Sequence, residues 1–197
     1  TRREEEKQQG ETDEVLTHGP LSRVLTVRRK LTQSRAKIIG LLGSMEPHTM
    51  AMQSRMLALG TTAPPFRLGD TASGRSVSLE DFAGSGALLV AFLCNHCPYV
   101  QHILDGFASF AAEYGPRGLA VVAISSNDVT THPADSPAEM TKLARGKKFT
   151  FPYLYDESQA VARAYDAACT PDFFLFDGVR RLVFRGQFVG SPPASPQ

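Results

Sequence analysis

The stretch Ala87-Leu88-Leu89-Val90-Ala91-Phe92-Leu93-Cys94-Asn95-His96-Cys97-Pro98-Tyr99-Val100 decides the fold. Its first seven residues are all apolar. That run is short for a helix and lacks the alternation of a half-exposed strand, so it predicts a strand buried on both faces. Pro98 suits the first position of a helix. From there Val100, Ile103, Leu104, Phe107, Phe110, Ala111 and Tyr114 recur at helical spacing until Gly115-Pro116 stops the run. Leu119 to Ile124 is a second buried run, so strand, helix and strand form a βαβ unit with a right-handed crossover. The chemistry-bearing pair Cys94 and Cys97 falls where the first strand gives way to the helix.

Shorter elements flank this unit. Upstream, Phe66-Arg67-Leu68 and Ser76-Val77-Ser78 bracket a Gly-containing turn and predict a hairpin. Ser78-Leu79-Glu80-Asp81-Phe82 then predicts a short capped helix with acids in its first turn. Downstream, a long loop over 125–137 leads to a helix over 138–145, a short strand at Tyr153–Tyr155 and a helix over 158–165. Phe173-Phe174-Leu175-Phe176 and Leu182-Val183-Phe184-Arg185 close the pattern as an antiparallel hairpin around Asp177-Gly178. Residues 1–49 read as an extension of uncertain order, with charge clusters and a weak basic helical period from Val24 to Leu42. Met50, Met52 and Met56 leave an upstream translation start open. The domain spans 50–190, and 191–197 is a polar tail.

Composition narrows the function classes. The 197 residues carry 21 Lys+Arg against 20 Asp+Glu and 42% hydrophobic residues, so no global field favours nucleic acid or an anionic membrane. No apolar run approaches the ~20 residues of a bilayer span. With three cysteines and no secretory leader pattern, the expectation is a cytoplasmic protein that uses thiols for chemistry. No Gly-rich dinucleotide fingerprint follows a strand, so no bound cofactor is implied and reducing equivalents come from a partner thiol.

At a helix start, unpaired N–H groups and the helix dipole lower a thiol pKa. Two-residue spacing lets the second sulfur resolve a mixed disulfide formed on the first. His96, between the cysteines, would stabilise a thiolate at Cys94 if protonated or polarised. The rival readings are a metal site built from Cys94 and Cys97 with His96 or His102, and two cysteines of purely structural use.

Four segments carry a resemblance: Ala91 to Val100, Val122 to Asp128, Phe151 to Asp156, and Cys169-Thr170-Pro171-Asp172-Phe173-Phe174-Leu175-Phe176-Asp177. Over about Met56 to Gln187 the chain resembles the thioredoxin-fold superfamily, and within it the peroxiredoxin-like redoxins related to alkyl hydroperoxide reductase and thiol-specific antioxidant. The resemblance implies an α/β/α three-layer sandwich around a central mixed sheet. It implies Cys94 as the exposed nucleophile, Cys97 as the resolving thiol and Thr170-Pro171 as the cis-proline facing them. Cys169 is a candidate third thiol. The implied activity is thiol-disulfide oxidoreduction on a protein disulfide, with antioxidant reduction of peroxide as the alternative and a cellular thiol as the reductant.

The departures from that family pattern are as informative. Peroxiredoxins carry a Thr where Cys94 stands and an Arg near Thr170-Pro171; by that alignment Cys97 would be the peroxidatic thiol. The buried acid of thioredoxins is replaced by Leu88, which leaves His96 or Glu113 to manage protons. Asn127, Asp128, His132 and Asp135 are candidates to border the site, with an ordinary polar loop as the favoured reading. The closing helix of the fold is missing from the sequence pattern, so one sheet face is expected to be partly bare unless the Val24–Leu42 helix covers it.

Overall fold

The structure is a computed structural model that describes residues 57–186. The extension with the helical pattern expected over 24–42, the candidate start sites and the tail, with the expectation that no closing helix follows, lie outside the described residues. The strands are β1 (Arg67–Asp70), β2 (Ser76–Ser78), β3 (Ala87–Phe92), β4 (Leu119–Ser125), β5 (Tyr153–Tyr155), β6 (Asp172–Asp177) and β7 (Leu182–Gly186). The helices are α1 (Pro98–Tyr114), α2 (Pro137–Gly146) and α3 (Ala160–Ala164). Short 3₁₀ turns occupy Leu79–Phe82, Gly115–Arg117 and Pro133–Asp135.

All seven strands join one sheet in the order β2-β1-β5-β4-β3-β6-β7. β3 pairs in parallel with β4 from Ala87↔Leu119 to Phe92↔Ile124, and antiparallel with β6 from Ala87↔Asp177 to Phe92↔Asp172. β5 joins β4 in parallel, β1 joins β5 antiparallel, and β2 and β7 form the antiparallel edges. β3 is therefore central, and every one of its residues is buried, as its unbroken apolar run requires.

Side-chain alternation along β3 splits the core in two. Ala87, Leu89 and Ala91 face α1 and α2, packing with Phe107, Met140, Phe151 and Phe173. Leu88, Val90 and Phe92 face the other way, onto Phe66, Val161, Tyr165, Phe174 and Phe176. The second face is well covered within the described residues. Tyr165 closes it: its ring meets Phe92, Phe174 and Phe176 edge-on or tilted, and its hydroxyl donates to Pro64 O at 2.9 Å. Burying an aromatic ring of this kind contributes about 1.5–3 kcal/mol.

Pro occupies the first turn of both α1 and α2, where no N–H partner is lost. Gly118 takes φ +94° to turn the chain from α1 into β4, a conformation that side chains with a Cβ avoid. The predicted helix over 158–165 is shorter than expected, five residues long, because Gln159 adopts a left-handed conformation at its start. The helix predicted at Ser78 is a single 3₁₀ turn, held by Asp81, whose carboxylate accepts the Ser78 N–H and hydroxyl at 2.8 and 3.1 Å.

Candidate functional site

Parallel β3 and β4 run side by side, so their carboxyl ends open at the same edge and the loops that follow them meet. After β3 comes Leu93-Cys94-Asn95-His96-Cys97; after β4 comes the loop that holds the 3₁₀ turn Pro133–Asp135. The segment before β6 brings a third strand of chain, Cys169-Thr170-Pro171, across from the cysteines, with a cis bond between Thr170 and Pro171.

Both pair cysteines are free thiols and both converge on Thr170. Cys94 Sγ lies 2.9 Å from Thr170 Oγ1, and Cys97 Sγ donates to Thr170 O at 3.4 Å. Their exposure reverses the expectation. Cys94 is 1% exposed and sits within the core beneath α1, whereas Cys97, the residue before α1, is half-buried and opens onto the surface. Its walls include His96, Cys97, Tyr99, His132, Arg163 and Cys169, around a cleft of about 530 Å³.

The expected lowering of the Cys94 pKa does not occur. Burial pushes the thiol up. Hydrogen bonds from Thr170 and the Cys97 backbone oppose that effect, and the negative charge of Asp135 reinforces it. Asp135 is the residue that sequence reading left in an ordinary polar loop. Its side chain is 0% exposed. Oδ1 accepts the backbone N–H of Asn95 at 2.6 Å and of His96 at 3.2 Å, while Oδ2 accepts from Asn127 Nδ2 at 2.7 Å and pairs with His96 Nδ1 at 2.6 Å. Burial alone would raise this carboxyl; the hydrogen bonds from Asn127, Asn95 and His96 outweigh it and hold the group below the ordinary carboxylate range.

Other partners complete the clasp. Asn95 Nδ2 donates to Ala134 O at 2.9 Å, and the buried Tyr153 hydroxyl donates to Asn95 Oδ1 at 3.1 Å. Burial pushes the Tyr153 phenol up, with the charges of Cys94 and Asp135 adding to the effect. The His132 ring stacks on His96 with centroids 4.5 Å apart. Thus His132, Asn127 and Asp135 join the site, whereas Asp128 stays exposed and accepts from Thr130.

Two expected proton handlers separate. His96 is at the pair, but Glu113 is exposed in the last turn of α1 with Arg117 as its partner, about 24 Å along the helix from Cys97 at 1.5 Å per residue. His102 is exposed on α1. The metal-donor group that the fold assembles among the described residues is Cys94, His96 and Asp135, within 4.8 Å of one another, not the Cys94, Cys97 and His96 or His102 of the rival reading. Within it, the 2.6 Å separation between His96 Nδ1 and Asp135 Oδ2 is a hydrogen bond and leaves no gap for an ion between those atoms.

Asn95, Asp135 and Tyr153 were missed because their partners are 39 to 58 positions away in sequence. One local signal points to Asp135: an acid between two prolines, in a long loop leaving the carboxyl end of a parallel strand.

A βαβ-centred mixed sheet with a cysteine pair at the strand-to-helix junction and a cis-proline opposite it is a thioredoxin fold. The chain belongs to the AhpC/TSA family, whose model matches residues 59–185. A crystal structure of an uncharacterized conserved protein from Geobacillus kaustophilus is 46% identical, covering 76% of this chain and 79% of that one at a TM-score of 0.71. The thiol-disulfide oxidoreductase ResA of Geobacillus thermodenitrificans is 27% identical over 61% of this chain and 64% of its own length. The 1-Cys peroxiredoxin PER1 of Hordeum vulgare is 26% identical over 54% of this chain and 48% of its own. The chain spans between about half and just under two thirds of the curated relatives it matches. Among the described residues no helix is long and apolar enough to cross a membrane.

Proposed function

We propose that this redoxin is a thiol-disulfide oxidoreductase working through Cys94 and Cys97. The observation that carries the reading is the convergence of two free thiols on Thr170, one half-buried at a cleft and one beneath it. Burial supports the order of events opposite to the one expected from sequence. Cys97, which a substrate reaches, attacks as thiolate on one sulfur of a substrate disulfide; that S–S bond breaks, one substrate thiolate leaves, and a mixed disulfide remains on Cys97. Cys94 then gives up its proton and attacks Cys97 Sγ. The second substrate thiolate leaves, and the Cys94–Cys97 disulfide holds the two electrons' worth of oxidation until an external thiol reduces it.

Cys94 suits the second step: a buried thiol is protected from solvent oxidants and reacts with the neighbour that the fold presents. Thr170 borders both sulfurs and lines the cleft, and with it the substrate chain meets the segment before β6. Cys169, exposed on the cleft wall, is placed to accept the disulfide in a further exchange.

A second reading has its own support. Cys97 rather than Cys94 opens on the cleft at the start of α1, which is the arrangement expected if Cys97 reduces peroxide and Cys94 resolves its sulfenic acid. Kinetics of the reduced protein against a model protein disulfide and against hydrogen peroxide divide the two, with Cys94→Ser and Cys97→Ser alongside. Fast disulfide exchange with slow peroxide consumption supports the oxidoreductase. Rapid peroxide turnover that needs Cys97 but survives Cys94→Ser with an added thiol makes the protein a peroxidase.

A further inference from the structure

The amides that begin a helix after a redox strand are the groups that a thiolate at Cys94 would use. In this protein two of the nearby amides, those of Asn95 and His96, are already taken by a carboxylate from another part of the chain. Asp135 Oδ1 accepts both, at 2.6 and 3.2 Å. Its other oxygen fills the remaining donors within reach, Asn127 Nδ2 and His96 Nδ1. With all of its side chain buried, Asp135 exchanges no hydrogen bond with solvent to do this, so the geometry of the Asn95-His96 turn is fixed from beneath.

We propose that Asp135 is the positioning residue of the cysteine pair: its carboxylate fixes the Asn95-His96 turn through both amides, sets a negative charge beside Cys94 and holds the His96 ring through Nδ1, leaving Nε2 as its proton-exchanging nitrogen. The proposal rests on the reading that Cys94 and Cys97 exchange thiols with disulfides. It explains two features at once. The helix start does not make Cys94 acidic: burial raises the thiol, and the charge of Asp135 adds to that against the bonds from Thr170 and the Cys97 backbone. And His96, although exposed, is not a free surface imidazole, since it is pinned on one side by Asp135 and stacked on the other against His132.

The consequence is functional. An anion fixed beside Cys94 favours its protonated thiol, which weakens it as a leaving group and makes its disulfide with Cys97 less oxidising. The titratable groups facing Cys94 are Asp135 from the loop after β4, His96 and Cys97 from its own loop and helix, and Tyr153 from β5. Among these, Asp135 is the one held ionised by its hydrogen bonds at neutral pH. Tyr153 is buried and neutral, and contributes a hydroxyl donor to Asn95 rather than a charge.

Asp135→Asn tests this. The amide is nearly isosteric, but it removes the charge and turns one acceptor oxygen into a donor group facing Asn127 or His96. The pH titration of the Cys94 thiolate is read by absorbance at 240 nm in a Cys97→Ser, Cys169→Ser background, with and without Asp135→Asn. The His96 tautomer is read by ¹⁵N NMR in the otherwise unaltered protein on the high-pH side of the ring's own ¹⁵N titration, where the imidazole is neutral. The expected results are a Nδ1–H tautomer at His96, its loss in Asp135→Asn, and a Cys94 midpoint that moves to lower pH. A midpoint unmoved in a folded Asp135→Asn protein overturns the proposal. So does a Nε2–H tautomer in the unaltered protein, which decides the matter even where Asp135→Asn fails to fold. Neither readout needs turnover. A protein that shows the tautomer and the shift but no exchange with disulfides keeps Asp135 in this role and removes the oxidoreductase reading instead.

Discussion

Asp135 and Asp156 are both completely buried, and both follow central parallel strands at the same end of the sheet. Asp156 accepts the Ser126 hydroxyl at 3.0 Å, the Ser158 hydroxyl at 3.3 Å and the Ala162 N–H at 3.0 Å. It caps α3 and ties β5 to the end of β4, where its own N–H donates to Ser125 O at 2.9 Å. Asp135 is saturated in the same way, yet one of its donors is an imidazole set between two thiols. The difference teaches that a buried carboxylate is this fold's ordinary means of closing a loop. It becomes part of the chemistry only where the closed loop carries titratable groups.

The largest effect expected is loss of disulfide exchange to the uncatalysed background in Cys97→Ser, measured with a model protein disulfide, because this removes the thiol that meets the substrate. An active Cys97→Ser protein would place the chemistry elsewhere and empty the comparison of its meaning. Next, Asp156→Ala removes the acceptor of the Ser126 and Ser158 hydroxyls and the Ala162 amide and costs about 1–3 kcal/mol. It should appear as a lower denaturant midpoint with an unchanged slope, while the Cys94 titration stays where it was. Movement of that titration would show that the two carboxylates are not separable.

The pH dependence of stability sharpens the contrast. The folded pKa of Asp135 is depressed, so its contribution is present above the unfolded value of about 3.9 and is lost as pH falls through the lower folded value. Denaturant unfolding followed from pH 6 down to pH 3 should therefore lose stability in acid, and lose less of it in Asp135→Asn. The smallest effect is expected from Thr170→Val, which removes a hydroxyl 2.9 Å from Cys94 Sγ that favours the thiolate. The Cys94 titration should move to higher pH, opposite in sign to Asp135→Asn. A shift in the same direction for both would break the account of how the site sets thiol acidity.

Much of the fold was legible because it is written in local patterns. The apolar run of β3, the helical spacing in α1 and the Phe173–Phe176 stretch each bury themselves on the strength of neighbouring residues. The cysteine pair was legible for the same reason, as spacing at a junction, and so was the cis-proline through its flanking residues. The exposure of Cys94 was not. At Cys94 burial outweighs the helix start, and only the folded chain shows that burial and the Asp135 carboxylate that reinforces it. Tyr165 is a parallel case on the other face: as one aromatic in a short helix it gave no sign that it would cover Phe92, Phe174 and Phe176 together.

The position of β3 has one more consequence. It is paired on both sides along its whole length and buried on both faces, so no local opening exposes its amides. Deuterium reaches the Leu88–Ala91 amides only when the whole domain unfolds, which makes these four residues an internal clock for global stability. Cys94 is two residues past the end of that strand. Exchange rates at 88–91, compared between the dithiol and disulfide forms, would therefore report how much of the energy of closing the S–S bond is stored in the fold as a whole.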